Sequence, residues 1–315
     1  MVDVGWYLLG VLVLLLGTDA LAKGLAALCA RRAVQGHAFA LGASALNAIV
    51  PALAIVIAAC VVEARALALG SLVGGAIAQL GLVLGLAALL APLHVRLVTF
   101  ARVVPILALA TILLGVLVFD GQLGVIDAAV LGVATLLAMV LLVRAVRGER
   151  AAARALFAAE ELRAGAGLLL VRSAVGLVLV GTGAWLVVRA ALGIAAANEV
   201  GALIIGLLLL GPAAAVAGLP SALAAARRGL GDFAVGQALL GALACVLALP
   251  AVLALAGPLP IGAALARLEL PALLALGLAV YPMMRNDGEL SRREGFVLLV
   301  AFAAFIVLEI LLLRA

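Results

Sequence analysis

The stretch from Ala66 to Val95 reads ALALGSLVGGAIAQLGLVLGLAALLAPLHV and contains no Asp, Glu, Lys or Arg. A helix needs about 20 apolar residues to cross the hydrocarbon core of a bilayer. The stretch therefore reads as a membrane-spanning helix. Its glycines (Gly70, Gly74, Gly75, Gly81 and Gly85) let neighbouring backbones approach closely, which is how helices pack where lipid replaces water.

The rest of the chain is the same material. Of 315 residues 69% are hydrophobic and 11% charged, with mean hydropathy +1.43. A soluble globular chain is roughly half apolar and about a quarter charged. Ten apolar segments emerge: Gly5–Ala30, Gly36–Val62, Ala66–Ala91, Leu97–Phe119, Gly124–Ala145, Gly165–Leu192, Val200–Ala226, Phe233–Gly257, Pro271–Met284 and Gly295–Leu313. One long charged break, Arg147 to Arg163, divides the chain into residues 1–146, a connector 147–164, and residues 165–315.

The net charge of +5 is not a nucleic-acid footprint, because the basic residues sit in short breaks rather than along one face. Alternate breaks hold Arg31, Arg32, Arg96, Arg102, Arg144, Arg147, Arg150, Arg154, Arg163, Arg227, Arg228, Arg285, Arg292 and Arg293. The opposite breaks hold only Arg65, Arg189, Arg267 and Arg314. By the positive-inside rule the rich side is cytoplasmic, which places both termini outside a bacterial-type cytoplasmic membrane and the connector inside. Asp3 stands where a secretory signal would carry basic residues, so the first segment reads as a retained helix.

The two halves repeat. Gly17-Thr18 returns as Gly181-Thr182, Leu67-Ala68-Leu69-Gly70 as Phe233-Ala234-Val235-Gly236, and Gly75-Ala76 as Gly241-Ala242. Pro92-Leu93 returns as Pro258-Leu259, and Asp120-Gly121 with Asp127 as Asp287-Gly288 with Glu294. The offsets run from 164 to 167 in order along the chain. Five helices per copy is odd, so the second copy enters the bilayer from the opposite side. Inverted repeats of this kind place a substrate site at the midplane and open it alternately to each face. The expected fold is thus an all-α integral membrane protein of ten transmembrane helices in two inverted five-helix repeats.

These residues resemble the cation/calcium exchanger superfamily, the sodium/calcium exchanger type. LLGTDALAKGLAALCARR is similar to that family's first helix, Ala66–Val95 to its first signature block, and Asp287–Leu311 to its last helix. AAARRGLGDFAVGQALLGAL follows the second block less closely. The resemblance implies that helices 2, 3, 7 and 8 surround an ion site. The family's helix 2 carries Gly-Thr-Ser-x-Pro-Glu; here Asn47-Ala48-Ile49-Val50-Pro51-Ala52 stands in its place, keeping the helix-breaking Pro51 but neither hydroxyl nor carboxylate. The second-half counterpart is Ala213–Gly218, flanked by Pro212 and Pro220. The Gly-Ser-Asn-x-x-Asn of helix 3 reads Gly74-Gly75-Ala76-Ile77-Ala78-Gln79, and that of helix 8 ends in Cys245.

No Asp or Glu lies within the four central segments, where the polar candidates are Ser44, Asn47, Ser71, Gln79, Ser221, Gln237 and Cys245. Calcium takes six to eight oxygen ligands and tight sites include carboxylates. The expected cargo is therefore a small cation (sodium, calcium or proton) or an altered solute. The competing expectation is a transport-inactive protein that keeps the fold as a homo-oligomer or partner subunit. Asp19 and Lys23 stand at i, i+4, an acid-before-base order that neutralises both, or serves a proton- or substrate-linked role. Arg172 and Glu309 are expected to reach toward the interface. Cys29, Cys60 and Cys245 are isolated, without metal spacing, and His37 and His94 are solitary. A membrane enzyme would need a metal-binding acid cluster or a catalytic dyad. No segment holds two acids, so neither enzyme activity nor a cofactor is expected.

Overall fold

Long Leu/Ala/Val runs leave the backbone one way to satisfy its polar groups in hydrocarbon, which is helix. The computed structural model describes residues 2–31, 37–95, 97–146, 165–257, 259–260, 268–285 and 288–314. The connector 147–164 lies outside them. In chain order the helices are α1 (Val2–Arg31), α2 (His37–Val61), α3 (Arg65–Leu90), α4 (Leu97–Val118) and α5 (Val125–Val146). The second half supplies α6 (Ala166–Asn198), α7 (Ala202–Ala217 with Leu219–Arg227), α8 (Gly231–Leu255), α9 (Glu269–Arg285) and α10 (Arg292–Arg314). By length and composition six are able to cross a membrane, or seven if bent α7 counts as one span.

Three of these rods are irregular, and proline accounts for two. Pro212 and Pro220 cannot donate to the carbonyls four residues back. α7 accordingly contains a π-turn at Gly206–Leu210 and bends by 46° at Gly218. Pro250 acts likewise in α8, which is interrupted at Leu247 between Gly231–Val246 and Ala248–Leu255. α3 carries a π-turn at Gln79–Val83. The continuous segments expected at Val200–Ala226 and Phe233–Gly257 are therefore broken rods. The opposite correction applies to Pro51: α2 runs through it from His37 to Val61, because one missing hydrogen bond in a long helix leaves its neighbours bonded.

Burial sorts the helices into centre and rim. In α3 and α8, 83% and 78% of the span is buried; in α1, α5 and α10 it is 17–28%. Outward residues such as Phe119, Ile126, Val133 and Leu168 are exposed and apolar, as a lipid-facing surface requires. α1 packs antiparallel on α6 through small residues seven apart. A Cβ on Gly10 would stand 2.8 Å from Val187, and one on Gly17 2.6 Å from the Val180 amide, while Gly24 abuts Ser173. From α6, Gly183 meets Leu14 and Gly176 meets Leu21.

The repeat reaches individual torsion angles. Ala64 (φ −92°, ψ 54°) precedes α3 as Leu230 (φ −93°, ψ 60°) precedes α8. Glu63 and Gly229 share positive φ, as do Gly121 and Gly288. Gly124 N–H donates to Asp127 at 2.7 Å, and Ser291 N–H to Glu294 at 2.8 Å, opening α5 and α10 with the same cap. Short strands β1 (Leu93–His94), β2 (Gln122–Leu123), β3 (Leu259–Pro260) and β4 (Glu289–Leu290) pair antiparallel as β1·β4 and β2·β3, always between halves.

Candidate functional site

The bend at Gly218 opens the backbone of α7 beside α2 and α8, and three polar side chains converge there. Gln237 of α8 is fully buried; its Nε2 donates to the Gly218 carbonyl at 2.7 Å. Its Oε1 accepts from Ser221 Oγ at 2.8 Å and from Asn47 Nδ2 at 3.5 Å. Asn47 Nδ2 also bonds Ser221 Oγ. The Ser221 hydroxyl lies 2.8 Å from the Gly218 carbonyl as well. One hydroxyl proton serves one of these acceptors at a time. Glycine at 218 leaves the room: a Cβ would stand 2.5 Å from Gln237 Nε2 and 3.3 Å from the Asn47 carbonyl oxygen. The network ties the first half to the second across the centre.

It does not use all its acceptors. Asn47 Oδ1 and Gln79 Oε1 are buried with no hydrogen-bond partner. Leaving such an oxygen bare costs about 1–3 kcal/mol. Pro51 has no N–H to give the Asn47 carbonyl four residues back, so that backbone oxygen is released as well. Gln79 is the first residue of the α3 π-turn, 2% exposed, and packs on Gly241 of α8. A Cβ on Gly241 would stand 3.2 Å from Gln79 Cδ and 2.6 Å from Ala48 Cβ, so the Gln79 amide and the residue after Asn47 share one glycine. Ala48 of α2 and the Gln79 amide of α3 thus meet at the α8 crossing. Among the described residues no three His, Cys, Asp or Glu come together.

A family model described as "Sodium/calcium exchanger protein" matches residues 2–144 and 168–311, each half separately. The chain belongs to the sodium/calcium exchanger family. No curated protein matches it by sequence. Among solved structures it is similar to the sodium-calcium exchanger NCX_Mj. Against that protein soaked with 2.5 mM Na+ and 1 mM Sr2+ the TM-score is 0.70 at 26% identity, covering 98% of each chain. Against the form soaked with zero Na+ and Ca2+ it is 0.69 at 26%, covering 98% of this chain and 99% of that one. The likeness is of whole chains, so the exchanger fold, its two repeated halves and its membrane setting hold for this protein.

Within the exchanger frame the remaining candidates separate. Ser71 does not join the amide cluster: its hydroxyl bonds the Ala68 carbonyl at 2.7 Å within α3, on the face that crosses α7. That crossing sets glycines against backbone, with Gly70 against Leu203, Gly74 against Leu207 and Gly211, and Gly206 against Leu67 and Ser71. Cys245 is a buried free thiol 3.6 Å from where a Gly75 Cβ would be, beside Gly211. Asp19 and Lys23 form a half-exposed ion pair at 2.7 Å. Glu309 does not reach the interface as expected. It is 6% exposed, and Glu269, at the start of α9, is 2% exposed. The apolar segment Pro271–Met284 leaves Glu269 outside it, whereas the helix begins at Glu269. The side chain of Ser44 lies outside the described residues. The sequence named Asn47, Ser221 and Gln237 but gave no reason for them to meet; the bend at Gly218 is that reason, and Pro220 was its only signal.

Proposed function

We propose that the protein is an alternating-access cation transporter of the exchanger family whose central path is lined by neutral oxygens in place of carboxylates. The two unpartnered buried oxygens, Asn47 Oδ1 and Gln79 Oε1, carry this reading. Bare acceptors in a low-dielectric interior favour whatever brings positive charge. Without a carboxylate they suit a monovalent cation better than calcium, whose double charge needs anionic ligands to offset its lost hydration. Backbone carbonyl rings in potassium channels do this work with neutral dipoles alone. Asn47 and Gln79 are the ion-binding residues of this reading, and Gln237 and Ser221 hold Asn47 in place. Residues 1–146 and 165–315 act as the two inverted repeats, ten helices cross the membrane, and both termini face outward with the 147–164 connector in the cytoplasm. The chemistry is transport, and no catalytic residue is assigned.

The experiment is flux into liposomes containing the purified protein, driven by a sodium or proton gradient. Sodium-22 uptake that falls at least tenfold in Gln79→Ala and Asn47→Ala supports the reading. Calcium-45 uptake of equal rate would overturn the monovalent preference. Cysteine labelling at each terminus from one side of the vesicle tests the orientation.

The closed network Asn47–Ser221–Gln237–Gly218 favours a second reading, in which the protein transports nothing and keeps the fold as a subunit. Absence of flux for sodium, calcium and protons under every gradient decides for it.

A further inference from the structure

The fourth helix of each half, α4 and α9, pack on one another. Their burial repeats position by position. Val103 to Phe119 run through the same order of buried, half-buried and exposed residues as Glu269 to Arg285, with Pro105 matching Pro271. That register pairs Gly115 with Tyr281, and both are half-buried. In the second half the tyrosine ring fills the position and packs against the core. In the first half the same position holds only a hydrogen atom.

The difference leaves a groove. A space of 560 Å³ is lined by Thr111, Gly115 and Phe119 at the end of α4 and by Leu270, Pro271 and Leu274 at the start of α9. Sites for small molecules span about 300–1,000 Å³. The walls are hydrocarbon. Thr111 is the one polar side chain among the lining residues, and its hydroxyl donates to the Leu107 carbonyl of its own helix at 2.9 Å. Ordered water needs about two to four polar partners, which these walls do not supply. Ile112, Val116 and Phe119 are exposed at the rim. In a membrane protein such a rim meets lipid tails, which are as apolar as leucine.

We infer that this groove binds one acyl chain of a phospholipid. The bilayer presents that ligand at the rim, and a hydrocarbon chain asks nothing of walls that have no hydrogen bond to give. An empty groove would leave its lining atoms without contacts on one side. The bound chain touches α4 of the first half and α9 of the second. It does at this end of the helix pair what the Tyr281 ring does at the related end, completing the contact between the repeats. The site shares no residue with the amide cluster and stands whether or not the central path conducts.

Mass spectrometry of the intact protein tests it, after purification in mild detergent from vesicles of palmitoyl-oleoyl phosphatidylglycerol. The expected result is one retained phospholipid on the wild type and on Gly132→Tyr, whose added ring starts from a position with nothing within 4 Å. Gly115→Tyr copies the second repeat and loses the lipid. A Cβ there meets only Leu270 Cδ1, at an ordinary 3.5 Å, so the backbone has room for the substitution. Leu274→Trp, filling the groove from α9, loses it as well. Thermal unfolding separates filling from misfolding: stripping the lipid lowers the midpoint of the wild type and leaves that of Gly115→Tyr unchanged. A wild-type protein that retains no lipid overturns the proposal, as does equal retention by Gly115→Tyr and Gly132→Tyr. A lipid-free dimer that Gly115→Tyr abolishes also overturns it, because that assigns the groove to a second copy of the chain.

Discussion

Leu93 faces Leu290 across an antiparallel bridge, and the repeat reproduces the pair as Leu259 facing Leu123. Each bridge joins the strand after a central helix of one half (α3 or α8) to the turn before the last helix of the other (α10 or α5). A two-fold relation exchanges the bridges and leaves the set unchanged. Cysteines at 93 and 290, with Cys29, Cys60 and Cys245 replaced by Ala, should therefore crosslink, because opposed residues lie within disulfide reach. With a protease site placed in the 147–164 connector, the cleaved halves should stay together on a non-reducing gel. Cysteines at 93 and 123 in the same background should not hold them.

The α3–α7 crossing depends on absent side chains. A Cβ at Gly70 would run into the Leu203 carbonyl oxygen and one at Gly206 into that of Leu67, both backbone atoms that cannot step aside. Gly70→Ala and Gly206→Ala should each cost about 1–3 kcal/mol or more through overpacking, read as a lower midpoint of thermal unfolding in detergent. Gly132→Ala, with nothing within 4 Å, should leave the midpoint unchanged or raise it slightly.

Asn47 and Gln237 belong to one hydrogen-bonded unit, so their effects should not add. A double-mutant cycle with Asn47→Ala and Gln237→Ala is expected to show a coupling of about 1 kcal/mol, the usual range for interhelical bonds in a membrane. Pairing Gln237→Ala with Thr182→Ala, whose hydroxyl bonds the Val178 carbonyl of its own helix, should give none. Additivity in the first cycle would mean that the amides do not form the bonds described.

The membrane class, the repeat and the exchanger fold were legible in the sequence because each is written many times over. Apolar runs recur along the chain, and the paired motifs hold one spacing from Gly17 to Glu294. The site was legible only as a set of residue types. Nothing in the letters separates Ser221, whose hydroxyl reaches across to α8, from Ser71, whose hydroxyl turns back on its own helix. That difference comes from the α7 bend, a property of three helices together. Pro51 misled for a related reason. A proline frees one carbonyl wherever it stands, but it breaks a helix only where the neighbouring packing favours a break, as at Gly218 and Leu247.

Restoring calcium binding is the most demanding prediction for the central path. The two positions where the family carries glutamate hold Ala52, 4% exposed, and Gly218. Ala52→Glu with Gly218→Glu supplies two negative charges for a doubly charged ion. The second substitution, however, drives a Cβ to 2.5 Å from Gln237 Nε2 and expels that amide from the Gly218 carbonyl. Asn47 and Ser221 then lose the Gln237 oxygen they share. Adding Gln237→Ala removes the clash and leaves the new carboxylate to take up both donors. The triple variant should therefore bind calcium where the double variant misfolds. Ligand held by the folded state alone adds about 2.7 kcal/mol of stability at a hundred times its dissociation constant, a rise in unfolding midpoint that the unsubstituted protein should not show with calcium. A monodisperse triple variant that calcium fails to stabilise would mean that the α2–α7 crossing does not enclose an ion-sized space.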